Sequence, residues 1–143
     1  MEKDVLYIMG SGSTIGTIMS VLELPNTLLG VDLVYNGKVI ASDVTEKDIL
    51  AALDQYSKAK VVVTVIGGQG YVFGRGNQQI SAAVLKRVGK ENIIIAADKN
   101  KMLSLIGKSL YVDTGDLEVN EMLKGYYRVL VGYDDMVMFP VTD

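Results

Sequence analysis

Short apolar runs alternate with polar, glycine-bearing turns along the whole chain, and the spacing inside each run separates strand from helix. Residues 4–9 (DVLYIM) are nearly all apolar and predict a buried strand. Gly10-Ser11-Gly12-Ser13-Thr14 ends that run, and Ile15, Ile18, Met19 and Leu22 follow at helical spacing. Residues 27–35 and 38–41 are rich in strand formers and are split by Asn36-Gly37, a two-residue hairpin signal. Ser42 or Thr45 is placed to cap a helix reaching Tyr56. Its early acids Glu46 and Asp48, and its apolar Ile49, Ala52 and Leu53, fit that reading.

Residues 60–66 (KVVVTVI) are again continuously apolar, the pattern of a strand in a parallel sheet covered on both faces. A glycine-rich loop over 67–79 comes next, then a helix over 80–88 closed by Gly89. Beyond it the pattern predicts a strand at 92–97, a short helix at 101–106, a strand at 109–112 and a helix at 117–123 ending at Gly125. Residues 127–131 and 136–141 form two last strands, with Asp134 and Asp135 in the hairpin turn between them. No linker, repeat or low-complexity segment interrupts the series, so the 143 residues read as one domain. Strands alternating with helices predict an α/β fold: a mostly parallel sheet with helices on both faces, ending in a short β-hairpin.

Ligands of such sheets bind at the carboxyl ends of strands, and both glycine-rich segments fall there. Gly10, Ser11, Gly12, Ser13 and Thr14 offer backbone N–H groups and three hydroxyls at a helix start, suited to a phosphate. No Walker lysine follows, so this is no P-loop. The plainer alternative is a tight turn with Ser13 or Thr14 as helix cap. The second segment brings Gly67, Gly68, Gln69, Gly70, Arg75, Gly76, Asn77 and Gln78 to a strand end. Arg75 suits a bidentate clamp on phosphate or carboxylate. Asn77, Gln78 and Gln79 suit a base, a ribose or a sugar hydroxyl, or one of them caps the following helix.

Two carboxylates stand out. Asp32 lies inside the apolar stretch 28–34 and needs a partner or a task, because unpaired burial is costly. Asp98 follows an apolar strand at its carboxyl end, with Lys99 and Lys101 beside it as phosphate contacts or simply as solvated lysines. Asp116 is explained by capping the helix that begins at Leu117.

Composition narrows the chemistry. The chain has no cysteine and no histidine, which removes disulfides, zinc fingers, thiol nucleophiles and Ser-His-Asp triads. Acid–base work falls to Asp, Glu, Lys or Tyr. A metal would be a hard ion such as Mg²⁺, reached through a ligand phosphate. The net charge of -3 and the lack of basic runs argue against nucleic acid as a partner. No apolar run is long enough for a membrane helix, and Met1-Glu2-Lys3-Asp4 does not begin a signal peptide, so a cytoplasmic location is expected.

In order and spacing, the 10–14 turn, Leu28-Leu29-Gly30-Val31-Asp32, the glycine-rich run through Gly74-Arg75-Gly76-Asn77-Gln78 and Asp113-Thr114-Gly115-Asp116 resemble the C-terminal domain of the ATP-NAD kinase-like family, which includes acetoin-catabolism protein X. The resemblance covers nearly the whole chain. It implies ATP or NAD as ligand and a role as part of a phosphotransferase. It also implies an N-terminal kinase-like domain with a Gly-Gly-Asp-Gly-Thr motif that holds nucleotide phosphates and the catalytic aspartate. This sequence lacks that motif, and it reads Gly-Ser-Gly-Ser-Thr where the family usually has Gly-Pro-Gly-Thr-Thr. The expectation is therefore a binding domain of a larger protein, with homo-oligomerisation left open.

A looser similarity, to ribose-5-phosphate isomerase and its non-catalytic relatives, rests on the Gly-Ser-Gly-Ser-Thr helix start, Asp32 and the glycine-rich loop with Arg75. It implies a Rossmann-like fold and a carboxylate base in a glycine-rich loop. Gln69 occupies that type of loop here, leaving Asp32 and then Asp98 as the implied bases. Three functions follow from these readings: a phosphorylated-metabolite-binding kinase part, a sugar-phosphate isomerase, or a ligand-sensing or assembly domain without chemistry.

Overall fold

A computed structural model describes residues 1–25, 30–66, 70–132 and 135–143. The first strand, β1 (Leu6–Met9), runs into α1 (Ser13–Val21), and the hairpin β2 (Asp32–Tyr35) and β3 (Lys38–Ala41) follows. Then come α2 (Glu46–Gln55), β4 (Ala59–Thr64), β5 (Tyr71–Phe73), α3 (Ala82–Val88) and β6 (Ile93–Ala96). Helix α4 (Lys99–Ser104), β7 (Leu110–Val112), α5 (Leu117–Leu123), β8 (Gly125–Gly132) and β9 (Asp135–Thr142) complete the chain.

The described strands form one sheet in the order β3-β2-β1-β4-β6-β8-β9-β7-β5. β4 lies inside it with parallel neighbours on both sides, β1 and β6. Burial on both faces explains why its sequence is apolar without alternation. Parallel pairing continues from β6 to β8, from β9 to β7 and from β7 to β5. Between the named strands, antiparallel pairing is found in the two hairpins and between β1 and β2. The fold is thus the expected α/β sheet, mostly parallel and ending in a hairpin. That hairpin is longer than the pattern predicted, with eight residues in each strand. An antiparallel bridge between Ile66 and Tyr71 brings the far edge strand β5 back to the end of β4.

Alternation along the strands sends side chains to two cores. Leu6, Ile8, Leu33, Val61, Val63, Ile93 and Ile95 pack with Ile49 of α2, Leu85 of α3 and Leu123 of α5. Tyr7, Met9, Val34 and Val62 pack on the opposite face against Ile15 and Met19 of α1. Helices therefore cover both faces, but among the described residues α1 is the one helix on its side, and the sheet surface beyond it, over β6 and β8, is uncovered.

Local chemistry explains the helix starts. Thr45 caps α2 with a reciprocal capping box: its hydroxyl accepts from the Asp48 N–H, and the Asp48 carboxylate accepts from the Thr45 N–H. Asp116 caps α5 by accepting from the Glu118 and Val119 N–H groups. Helix α3 is capped by Ser81, not by any of the three amides before it. At α1 the cap position is Gly12, and neither Ser13 nor Thr14 caps it, because both already lie within the first turn. We expect Thr45→Ala to cost about 1 kcal/mol in urea unfolding. Thr17→Ala, on the exposed side of α1, should stay within about 0.5 kcal/mol of the parent protein.

Candidate functional site

The carboxyl ends of β1 and β4 lie side by side, since Met9 pairs with Val62 and the Gly10 N–H donates to the Val62 carbonyl at 2.8 Å. The turn over residues 10–14 has to cross β4 at close range. A Cβ on Gly10 would sit 3.1 Å from the Val63 side chain and 3.2 Å from the Val62 carbonyl oxygen. A Cβ on Gly12 would meet the Thr64 methyl at 3.1 Å. Small residues here let α1 start directly above the strand. Gly12 supplies no side-chain cap, so among the described residues the positive end of the helix is left for another acceptor.

The second segment meets this turn. The Ser11 hydroxyl donates to the Gly76 carbonyl at 3.0 Å, across 65 residues of sequence. Ser11 is thereby held against Gly76, and Asn77 follows Gly76 in sequence. Gln78 is solvent-exposed next to them. Gly67, Gly68 and Gln69 lie outside the described residues, as do Leu28 and Leu29 of the motif that ends at Asp32.

The glycine-rich stretch does not run as one loop from strand to helix. It contains β5, three residues long, paired with β7. Gly74 follows at φ 93°, where a Cβ would run into the Asp113 carbonyl, so this glycine is required by sheet packing. Arg75 is half exposed; its guanidinium lies 4.3 Å over the Tyr71 ring and 3.9 Å from an Asp113 carboxylate oxygen. Both contacts are weak at such exposure, so the cation can be recruited by a stronger anion.

Asn77 is buried to 1 % exposure. Its side-chain nitrogen donates to the Val72 carbonyl at 2.8 Å, while Oδ1 has no hydrogen-bond partner among the described residues. A buried acceptor without a donor costs about 1–3 kcal/mol.

The two candidate carboxylates differ. Asp32 is buried at the start of β2, opposite Met9, and alternation with Val34 puts it on the α1 face at the same end of the sheet as Gly10. Its Oδ1 accepts from the Asp43 N–H at 2.9 Å, tying β2 to the segment that enters α2. Asp98 is exposed and caps α4, accepting from the Asn100 N–H at 2.7 Å and the Lys101 N–H at 3.3 Å. Helix capping accounts for its position. Lys99 pairs with Asp135 at 3.4 Å, and Lys101 donates to the Val65 carbonyl at 3.1 Å, so both lysines have protein partners.

Sequence reasoning missed Thr64, a buried hydroxyl residue under Gly12. Its signal was the hydroxyl residue within the apolar run VVVTVI. It also missed a groove of about 1050 Å³ on the open side of α1. Thr14 and Asp98 stand at one end of the groove, with Met9, Val62, Ile94 and Leu130 along the sheet. At its other end Lys60 and Glu2 pair at 2.8 Å; that hydrogen bond raises the lysine pKa and lowers the glutamate pKa. A second cleft, about 620 Å³, opens at the amino ends of the strands. Its Lys60 and Arg87 pair with Glu2 and Asp54 at 2.8 Å each.

Among the described residues no cluster of three or more acidic, His or Cys side chains is placed to hold a metal ion, and no helix is long and apolar enough to cross a membrane. An α/β domain with two small-residue turns converging at the carboxyl ends of its parallel strands is the class defined by this geometry. The chain belongs to the family described as ATP-NAD kinase C-terminal domain, which it matches over residues 2–141. No curated protein and no solved structure matches it.

Gly74 and Gly76 separate packing from backbone preference. Both have positive φ, but a Cβ on Gly76 would only touch Ile66 at 3.4 Å. Gly74→Ala should lose at least about 3 kcal/mol in urea unfolding and Gly76→Ala about 1 kcal/mol.

Proposed function

We propose that this domain binds a nucleotide or another phosphorylated metabolite for an ATP-NAD kinase-like protein, and that phosphoryl transfer requires an N-terminal kinase-like domain. The observation that supports this most is the Ser11–Gly76 hydrogen bond, which joins the two turns at the uncapped start of α1. Free N–H groups at a helix start, flanking hydroxyls and a recruitable arginine are the donors a phosphate uses. The phosphate sits at the 10–14 turn, Arg75 leaves Asp113 to reach it, and Asn77 and Gln78 orient the rest of the ligand. Mg²⁺ would arrive bound to ligand phosphate, with Asp32, opposite Met9 in strand register, the protein carboxylate to test as its further contact. ATP and NAD are the first ligands to test, in a cytoplasmic setting.

A second reading, an assembly domain, is favoured by the outer face of the last hairpin. Tyr126, Leu130, Met136 and Met138 are all exposed there, and Leu130 pairs directly with Met136. Apolar side chains grouped in this way are characteristic of contact surfaces.

Thermal unfolding with ATP, NAD and ribose 5-phosphate distinguishes the readings. A binding ligand at one hundred times its Kd should stabilise the fold by about 2.7 kcal/mol, and Arg75→Ala should weaken that ligand about ten-fold. No shift with any of the three, together with a silent Arg75→Ala, rejects phosphate binding. Aldose–ketose turnover of ribose 5-phosphate by this chain alone would replace the kinase-part reading with the isomerase one. For assembly, sedimentation should show an oligomer that Leu130→Asp and Met138→Asp dissociate; a parent protein that stays monomeric at high concentration counts against it.

A further inference from the structure

The amino ends of β1 and β4 lie side by side like their carboxyl ends. Leu6 pairs with Ala59 and Tyr7 with Lys60, and the Leu6 N–H donates to the Lys58 carbonyl at 2.9 Å. The chain before β1 is folded back onto it, because the Glu2 N–H donates to the Tyr7 hydroxyl at 2.9 Å. These pairings build the cleft of about 620 Å³ at the amino ends of the strands, and they concentrate charge in it. Among the described residues Lys3, Lys58, Lys60 and Arg87 line it, with Glu2 as the one lining acid. Arg87 is committed to Asp54 at 2.8 Å and to the Leu50 carbonyl at 3.3 Å. Lys3 and Lys58 are exposed and, among the described residues, have no ion-pair partner, although the chain carries 17 acids and only 14 bases.

Glu2 shows how this cleft treats an anion. Its carboxylate sits 2.8 Å from the Lys60 ammonium. The hydrogen bond from Lys60, then the Lys60 charge and more weakly that of Lys58, hold the glutamate pKa below its usual value. Two cations thus act on one carboxylate, yet Glu2 stays largely exposed. A pair at such exposure contributes little and is readily exchanged for a stronger anion. Nor does it balance the cleft: Glu2 and Asp54 offset only two of the four positive charges. We propose that the cleft binds a small anion with two or more negative charges, which displaces the Glu2 carboxylate from Lys60 and reaches Lys58 and Lys3 as well. The volume suits a small metabolite, and a concave surface of one sign focuses its field on the occupant. This site lies at the strand ends opposite the 10–14 turn and does not depend on the phosphate reading above.

Were these lysines only a solvated basic face, anions would gather beside any exposed lysine and Glu2 would be immaterial. Backbone amide shifts followed at low salt with pyrophosphate, propane-1,2,3-tricarboxylate and acetate separate the two cases. The Ser57, Lys58 and Ala59 amides should give a saturable curve with at least one polyanion and none with acetate. Whichever polyanion binds more tightly identifies the phosphate or the carboxylate class. Lys58→Gln should weaken it at least about five-fold, and Glu2→Gln should tighten it about three-fold. Lys47→Gln removes an exposed charge outside the cleft and should change the affinity by less than about two-fold. All three side chains are exposed, so folding is not at stake. Failure of both polyanions to saturate, equal saturation by acetate, an equal loss in Lys47→Gln, or no gain in Glu2→Gln overturns the assignment. Arg75→Ala should leave the curve at these amides intact, and a curve that disappears with Arg75 overturns it too.

Discussion

The tight crossing of the 10–14 turn over β4 governs the rest of the molecule. β4 is flanked by parallel partners, so its carboxyl end is crowded by the chain leaving β1. Only small residues fit there: Gly10 against Val63 and the Val62 carbonyl, Gly12 against Thr64. That fit sets where α1 begins, and α1 in turn buries the second core through Ile15 and Met19. It also leaves the helix start uncapped beside the end of β4. Packing and the binding geometry thus stem from the same constraint, so a bulky residue at Gly10 would damage both.

How much of this was legible follows from the range of the interactions involved. Helices and long strands were readable because their signals are local: the Thr45–Asp48 box lies within four residues, and KVVVTVI declares a doubly covered strand by itself. β5 was not readable, since three residues carry no period and their partner β7 lies about forty positions away in sequence. The role of Gly74 was hidden for the same reason: the obstacle is the backbone of Asp113, not a neighbour in sequence. At the site, the two turns could be placed at strand ends from the pattern alone, but the Ser11–Gly76 contact could not. Asp98 drew notice as a carboxylate at a strand end, yet its bonds to Asn100 and Lys101 are those of a helix cap. Type and position signalled a site where local hydrogen bonding supplied a simpler cause.

The open side of α1 creates a tension that the opposite face does not share. Four helices, α2, α3, α4 and α5, contribute to the first core, whereas among the described residues one nine-residue helix serves the second. The consequence is the groove beside Met9, Val62 and Ile94, continued by exposed apolar residues on the last hairpin. Such a surface loses part of the stabilisation that full burial would contribute, roughly 25 cal/mol for each Å² of apolar area left in water. A surface of this kind is commonly a site of contact.

Departures from local satisfaction gather around β5. Within four residues the chain has a glycine forced by a backbone collision, an arginine held by two weak contacts and a buried amide with one unpaired end. Elsewhere the helix starts α2, α3, α4 and α5 are each satisfied by their own cap residue. Local rules are broken where a structure is shaped for something besides its own stability. The three departures also differ in kind. Gly74 is resolved by the sheet, because β7 needs the space that a side chain would take. Arg75 and Asn77 are left with unused capacity among the described residues: one is a cation held by two weak contacts, the other an amide whose Oδ1 accepts no hydrogen bond.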